Sequence, residues 1–421
     1  MTIPQRTTRR TTLAALLGTF FVSTACLNGQ PPAPAAPAPQ APALTLDEVM
    51  AEALAASPAL AAARLGRAEA EARQDIARLR PNPDLNVERT NDLPHDAATL
   101  SVPIERGRKR RRRIALAEVQ TKKEEAELAR LTAETRNQVR RAYFSLAAAE
   151  RRAAETAELQ RLAESARDAA RARFEVGDVP RLDVLQAELS AVQAASETDK
   201  ARGLLLGARS DLNALLGRPL DSPLAAGTGL DAGTVPPVDA AVRLALAGST
   251  ELAVLDLGIA EQQAEVELAR AEAVRDLTAD AGVLHDAQPD FTWGWRAALT
   301  VTLPVFSRGR EQVRLEEATL ARLQAERDAA AARLRGEVAT AAAAAETQRQ
   351  ALLRFRDEVL PRAAEVERMA EDSYRSGQTD LTALLQSLQA VHDLRLQAVQ
   401  AGNDYQNALA DLERAIGAPL P

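Results

Sequence analysis

The chain has 421 residues, of which 46% are apolar but only 3% aromatic, and its formal net charge is −7. Abundant alanine and leucine with few aromatic residues favour long helices packed at close range over a bulky globular core. The acidic balance argues against nucleic acid as a partner. A single cysteine excludes an intramolecular disulfide and a cysteine-based zinc site.

Residues 1–25 have the pattern of an export signal. Basic residues precede an apolar core at residues 13–22, and small residues follow it. This core is too short to span a bilayer. The pair Arg9-Arg10 leaves a twin-arginine signal open beside the ordinary secretory one. Without the arginines of this segment the net charge would be about −10, so the exported chain is expected to be acidic.

Cys26 stands directly after the signal, at the position where bacterial lipoproteins carry their lipid. An ordinary cleavage site is the alternative, because Ser23 stands where lipoprotein signals usually have leucine. Residues 26–43 are rich in proline and alanine and are predicted to form an extended tether. Beyond the tether no apolar run is long enough for a transmembrane helix, so only strands could cross a membrane.

The rest of the chain repeats itself. Residues 211–220 align with 411–420 at an offset of 200, and both segments contain a Gly-X-Pro-Leu sequence. The same offset relates residues 173–177 to 373–377. An ordered series of such matches predicts two repeats, at residues 44–220 and 237–421, joined by a linker at 221–236.

Both repeats are predicted to contain the same elements in the same order. The long helical run of the first repeat, about 70 residues or roughly 105 Å, cannot belong to a compact domain and predicts a coiled-coil or tube-like assembly. The elements are a helical stretch (45–80; 237–275), a non-helical segment (82–104; 277–306), the long helical run (107–176; 309–376), a glycine-containing turn and a second helix (181–216; 380–416).

The clearest strand pattern lies at residues 291–303, where apolar and polar side chains alternate. Such a strand fits a membrane barrel with one face to lipid and one to a lumen, and Phe291, Trp293 and Trp295 are predicted to form its interfacial aromatic girdle. A half-buried strand of a soluble sheet is the alternative. Partner strands are predicted near 84–89, 97–103 and 278–284. Four strands cannot close a barrel alone, so several copies must pool them; three copies would supply twelve.

The duplicated plan resembles the TolC-type outer membrane efflux proteins over residues 44–421. The most specific motifs are residues 173–178 with 182–185, and 373–377 with 381–385. The resemblance implies a mostly α fold with a small β-barrel contribution, a homotrimer with a twelve-stranded barrel in the outer membrane, and a periplasmic helical tunnel. It also implies a gate and adaptor-docking region at the two turns, which we call the tips; their candidate residues are Gly177, Asp178, Asp183, Gly377, Asp380 and Thr382.

Within that family, residues 80–83 and 103–110 resemble the heavy-metal (cobalt-zinc-cadmium type) branch. This implies a passive exit duct that works with a periplasmic membrane-fusion adaptor and an inner-membrane pump of the resistance-nodulation-division class. The family often has an aspartate after the second tip, and here Thr382 or Asp380 stands instead. Multidrug export, type I secretion and a periplasmic coiled-coil scaffold outside the membrane are the alternative functions.

The strand-to-helix junctions also match between the repeats, at Pro103, Arg106 and Gly107 in the first and at Pro304, Arg308 and Gly309 in the second. Residues 106–113 carry seven basic side chains in eight positions. In the predicted topology this run lies at a membrane surface, where it would contact anionic lipid headgroups. A solvated helix start is the alternative.

Several single residues have two interpretations. Gly177 and Gly377 are expected to adopt left-handed backbone angles and so reverse the chain. Asp183 would form a carboxylate ring around a pore axis, or else simply begin a helix.

His95 and His285 precede aspartates in matching inserts, but a metal site needs three or four convergent ligands, so neither a metal nor a cofactor is predicted. No catalytic motif is found, and the chain is not expected to be an enzyme.

Overall fold

The computed structural model describes residues 43–231 and 233–420. The predictions of an export signal, of lipid attachment at Cys26 and of a tether over most of 26–43 therefore lie outside the described residues.

Nine helices and six strands make up the described part of the chain, and both repeats contain the predicted helices and strands in the predicted order. The strands are β1 (Ala43–Leu44), β2 (Asp84–Arg89), β3 (Asp96–Ile104), β4 (Ala225–Ala226), β5 (Leu277–Ala287) and β6 (Phe291–Val301). The helices are α1 (Leu46–Ala56), α2 (Pro58–Arg78), α3 (Lys109–Glu175), α4 (Arg181–Leu215), α5 (Val238–Gly248), α6 (Thr250–Glu272), α7 (Arg310–Arg354), α8 (Leu360–Arg375) and α9 (Leu381–Ile416).

The predicted opening stretch of each repeat is two helices, not one. The break falls at Ser57 in the first repeat and at Ser249 in the second. Each serine has extended backbone angles, and its hydroxyl accepts a hydrogen bond from the N–H three residues on, at 3.3 Å. This is the geometry of a helix N-cap. In the first repeat Pro58 follows the break, and a proline disfavours helical angles in the residue before it.

The two long helical runs differ. α3 is continuous over 67 residues, whereas the predicted run at 309–376 is interrupted by a π-helical turn at Phe355–Val359, between α7 and α8. Pro361 follows this turn and explains the difference. Its ring would clash with the carbonyl of Asp357 in a regular α-helix, and a wider turn relieves the clash. α3 contains no proline.

The helices of the second repeat pack largely through small residues. One buried cluster joins α5, α7 and α9 around Val338 and includes Ala330, Ala331, Ala342 and Ala345. Such small side chains allow close approach of helix backbones, as the alanine-rich sequence predicts. A second cluster, where α1 and α4 meet Tyr143 of α3, instead consists mainly of larger side chains such as Phe144 and Leu212.

The linker and the N-terminal end of the described chain are held to the helices by Tyr143. Strands β1 and β4 pair in parallel beside this residue. The Tyr143 hydroxyl donates to the carbonyl of Leu44 at 2.9 Å and accepts from the N–H of Thr228 at 2.8 Å. Tyr405 similarly accepts from the N–H of Gly233, at 3.0 Å. Both tyrosines are fully buried.

The other four strands form one antiparallel sheet in the order β2-β3-β5-β6. The central pair, β3 and β5, comes from different repeats and is in register from Asp96 with His285 to Ile104 with Leu277. β2 and β6 are the edges and have no further partner strand within the described chain. Among the described residues, none of the helices is both long and apolar enough to traverse a bilayer.

Candidate functional sites: membrane sheet, junction and tips

The sheet has one apolar face and one polar face. Residues paired across antiparallel strands point to the same side, so the register assigns every side chain to a face. The apolar face contains Leu85, Val87, Leu100, Val102, Ala279, Val283, Trp293, Trp295, Leu299 and Val301. Polar side chains lie on this face at the turn end of the sheet, where Arg89, Asp96 and His285 are paired. Trp295 is 82% exposed, which is unusual for so large an apolar surface in water.

The polar face is cross-linked by hydrogen bonds around Asp280. Its carboxylate accepts from the Ser101 hydroxyl at 2.6 Å and from the Thr300 hydroxyl at 3.2 Å. Asp84 and Glu88 of β2 lie on the same face by register. Alternation of this kind, with an uncovered apolar side, is typical of strands that separate lipid from a water-filled lumen.

The three predicted girdle residues, Phe291, Trp293 and Trp295, lie together at the start of β6, next to the β5–β6 turn. Trp293 packs against His285 with 4.4 Å between ring centroids and the ring planes tilted by 50°. The His285 Nδ1 lies 3.4 Å from Asp96, whereas the His95 ring contacts the carbonyl of Thr90. The two histidines therefore have different partners, and no group of three metal-ligating side chains occurs among residues 43–231 and 233–420.

The two strand-to-helix junctions meet at the connection between α6 and β5. An added Cβ on Gly107 would lie 2.7 Å from the carbonyl of Ala271, and one on Gly309 would lie 3.0 Å from the Cβ of Ala273. Both glycines have positive φ, at 70° and 75°. Only glycine suits this close approach and this conformation, so the duplicated junction glycines seat both loops on the same short segment.

Asp276 and Arg275 fasten these loops. The Asp276 carboxylate accepts from the backbone N–H of Arg106 at 2.9 Å and from the Lys109 ammonium at 2.7 Å. Burial alone would raise the pKa of Asp276, but these hydrogen bonds and the nearby positive charges lower it below its usual value. Arg275 donates to the carbonyl of Ser307 at 2.7 Å. The sequence analysis identified neither residue. For Asp276, a signal was present: an acidic side chain that could pair with the basic run 106–113.

Only part of the basic run 106–113 is neutralised by the protein. Lys109 pairs with Asp276, Arg112 with Glu267 and Arg113 with Glu105. Arg110 donates to the carbonyl of Arg78 at 2.7 Å. The other three members, Arg106, Arg108 and Arg111, are exposed and form no ion pair within the described residues.

At the first tip, the chain reverses at Gly177, which has φ 77° and donates its N–H to the carbonyl of Phe174. Asp178 accepts from the Nε of Arg173 at 2.7 Å. The same guanidinium reaches across to the second repeat, where it lies 3.3 Å from the Tyr374 hydroxyl and 5.6 Å from the ring centroid. The hydrogen bonds to Asp178 and Tyr374 raise the pKa of Arg173. Neither Arg173 nor Tyr374 was among the predicted tip residues.

At the second tip, Gly377 has φ 74°, and the predicted polar residues have local partners. Asp380 caps α9 by accepting from the N–H of Ala383 at 2.8 Å. Thr382 donates to the amide oxygen of Gln186 in α4 at 3.0 Å. Asp183, at the start of α4, is half-buried. These contacts join the two tips side by side. An apolar cluster shared by both repeats lies behind them and contains Ala170, Val184, Ala187, Leu381, Leu384 and Leu388.

A two-faced sheet set on helices of this length gives the chain the fold of solved outer-membrane channels. Solved structures agree in fold. The chain has a TM-score of 0.73 with the channel CusC at 16% identity, over 91% of this chain and 98% of that one. It has the same score with the Campylobacter jejuni CmeC outer membrane channel at 17% identity, over 88% and 85%, and with the Neisseria gonorrhoeae MtrE channel at 19%, over 89% of each.

The family follows from the sequence comparison. The model of the outer membrane efflux protein family matches residues 49–218 and 241–418. The chain therefore belongs to the outer membrane efflux protein family and is located in the outer membrane. It is also similar to the cobalt-zinc-cadmium resistance protein CzcC of Cupriavidus metallidurans, with 28% identity over 280 residues that cover 66% of this chain and 67% of that protein.

Proposed function

We propose that this protein is the outer-membrane channel of a tripartite efflux pump and that three copies form a passive exit duct for divalent heavy-metal cations. The observation that carries the proposal is the four-stranded sheet. Its apolar face is uncovered, its polar face is charged, and both of its edges, β2 and β6, lack a partner strand within the described residues. Lipid does not tolerate unpaired strand edges, so such a sheet needs the strands of other copies.

The helices supply the second part of the duct. At 1.5 Å per residue, α3 extends roughly 100 Å from the junction to the first tip. This length suits a tunnel that crosses the periplasm and meets a membrane-fusion adaptor and a resistance-nodulation-division pump at the tips. Energy would come from that pump, because the family is one of efflux ducts and the chain carries no nucleotide-binding motif in its sequence.

The cation cargo rests on charge and on the similarity to CzcC. Asp84, Glu88 and Asp280 lie on the polar face of the sheet and outnumber Arg296 on that face, and carboxylates in a narrow aqueous passage attract cations. At the tips Asp183 and Asp380 add further negative charge, whereas Asp178 is paired with Arg173. A lipid on Cys26 would tie the chain to the membrane in addition, as the sequence predicts.

Two measurements test the proposal together. In a strain that lacks its own copy, the protein should restore tolerance to Co²⁺, Zn²⁺ or Cd²⁺, and the purified oligomer should conduct ions in planar bilayers. Asp280→Asn should reduce cation selectivity, whereas Asp290→Asn, in the β5–β6 turn, should not. A water-soluble monomer without conductance would instead support a periplasmic scaffold. Restored tolerance to drugs but not to metals would assign the channel to multidrug export.

A further inference from the structure

We propose that the junction carries a binding belt for anionic phospholipids of the membrane leaflet that faces the periplasm. The belt consists of Arg80, Arg106, Arg108, Arg111, Arg308 and Arg310, together with the apolar segment 303–306. This inference rests on the proposed function, since it needs the sheet to lie in a bilayer, and it adds a ligand of defined chemistry to the junction.

The first observation is a cluster of arginines without carboxylate partners. All six are exposed, and none forms an ion pair within the described ranges 43–231 and 233–420. Other basic residues of the same region are neutralised by Asp276, Glu267 and Glu105. Glu272 and Glu311 are exposed carboxylates nearby, too few to balance the six arginines.

The fold brings these arginines to one level. The end of α2 is joined to the start of α3 by hydrogen bonds from Arg110 to the carbonyl of Arg78 and from Arg113 to that of Leu79. Arg113 also binds Glu105, directly after β3. The loop before α7 is joined to the same region by Arg275. Arginines from both repeats therefore lie at the base of the sheet, on the fastened loops and on the first turns of α3 and α7.

The second observation is an apolar surface directly beside these charges. Leu303, Val305 and Phe306 are 72%, 73% and 103% exposed. They follow β6 directly, so an exposed apolar segment continues the chain beyond the strand. The loop is not loose: the N–H of Val305 donates to the carbonyl of Leu303 at 2.9 Å, and the next residue after Phe306 is held by Arg275. A fixed, fully exposed phenylalanine next to arginines matches the boundary between acyl chains and headgroups.

The third observation is backbone strain at Arg108. This residue has φ 63°, directly after Gly107 at 70°. Left-handed angles are unfavourable for a long side chain, and glycine or asparagine would adopt them more easily. Strained residues are concentrated at binding sites, and this one carries an exposed guanidinium that forms no ion pair within the described residues. A phosphodiester accepts hydrogen bonds from arginine in a fitting planar geometry.

The test uses the purified, delipidated oligomer. Native mass spectrometry counts bound phosphatidylglycerol and phosphatidylcholine at equal concentration, and thermal melting is followed with each lipid. The wild type should prefer phosphatidylglycerol and lose that preference as salt rises. Each arginine at a membrane surface contributes roughly a five-fold effect, so the triple variant Arg106→Gln, Arg108→Gln, Arg111→Gln should weaken the preference by up to about 100-fold.

The matched control removes three exposed arginines, Arg136, Arg335 and Arg354. Each lies on a helix surface more than about 35 Å from the junction, measured along its helix. It has the same change in charge and should keep the lipid preference. Phe306→Ser should weaken binding of both lipids. Circular dichroism and the oligomer mass verify folding of each variant.

Three results would overturn the inference. They are equal binding of the two lipids by the wild type, an unchanged preference in the triple variant, and full displacement of phosphatidylglycerol by an equal concentration of inorganic phosphate. Loss of the oligomer in Phe306→Ser would overturn the apolar half of the belt, because Phe306 would then belong to a contact between copies. Bilayer conductance of the wild type is recorded separately, so that failure of the channel proposal is distinguished from failure of the belt.

Discussion

Replacement of Gly417 by alanine should destabilise the protein more than the same change at Gly217, its counterpart in the first repeat. Both glycines end a helix with positive φ, 80° and 66°, so both variants incur a cost of about 1–2 kcal/mol for left-handed angles. The packing differs. A Cβ on Gly417 would lie 2.4 Å from the carbonyl oxygen of Gly248, whereas one on Gly217 would lie 3.7 Å from the Cβ of Ala56.

The residue that each new Cβ would meet explains the difference. Gly248 and Ala56 occupy equivalent positions at the helix breaks, but only Ala56 has a side chain. The backbones come closer in the second repeat because the facing residue there has no side chain. Overpacking against backbone should add about 1–3 kcal/mol for Gly417→Ala, giving a total of roughly 2–5 kcal/mol.

Thermal melting, followed by circular dichroism, measures the effect. For a chain of this size the melting temperature shifts by on the order of 1 °C per kcal/mol. Gly203→Ala is a control of opposite sign: this glycine lies within α4 with open space around it, so alanine should stabilise the helix by about 1 kcal/mol. Equal melting temperatures for Gly417→Ala and Gly217→Ala would refute the reasoning, because the second repeat would then accommodate the methyl group without cost.

Three further predictions concern the core, the pH response and the tips. Tyr143→Phe removes both hydrogen bonds that hold the linker and should lower the free energy of unfolding by about 1–3 kcal/mol in urea titrations. Burial raises the pKa of Glu413 although its ion pair with Arg140 opposes the shift, so the protonated form stabilises the folded state below the usual pKa and this contribution is lost as pH rises. The melting temperature of Glu413→Gln, measured against that of wild type, should therefore rise with pH from about pH 4 upward. Gly177→Pro and Gly377→Pro cannot adopt the positive φ of the tips and should abolish metal tolerance while conductance in bilayers persists; unchanged tolerance would contradict the tip assignment.

Local patterns predicted most of the fold. The alternation at 291–303 predicted β6, and the ordered matches at an offset of 200 predicted that both halves contain the same helices and strands. The π-helical turn was missed although Pro361 signalled it, because the surrounding residues favour helix so strongly that one proline was outweighed in the sequence pattern. The breaks at Ser57 and Ser249 were missed because apolar residues continue on both sides of each serine.

The contacts between repeats could not be predicted, for a different reason. The bridge from Arg173 to Tyr374 and the fastening of the junction by Asp276 join residues that are about 170 to 200 positions apart. The tip motifs and the basic run indicate these regions of the chain, but no local pattern shows which side chain meets which. Their partners depend on how the two repeats are placed against each other, which only the folded chain defines.

The strand order connects the duplication with assembly. A repeat alone has two strands, too few for a stable sheet. In the fused chain, β3 and β5 pair across the repeats, and the Ser101–Asp280 hydrogen bond links them on the polar face. The free edges are then β2 from the first repeat and β6 from the second. Every pair within the sheet is antiparallel, so β2 and β6 run in opposite directions.

Because each copy supplies an even number of strands in alternating directions, several copies can close into a barrel without any parallel pair. When β6 of one copy pairs with β2 of the next, that new pair is again antiparallel, and the ladder continues without a change of direction at any seam. This holds for any number of copies, so strand direction does not select the oligomer. The selection must come from curvature and from the helices below the junction, where exposed leucines and valines of α4, including Leu185, Leu189 and Val192, still lack a partner within the described chain.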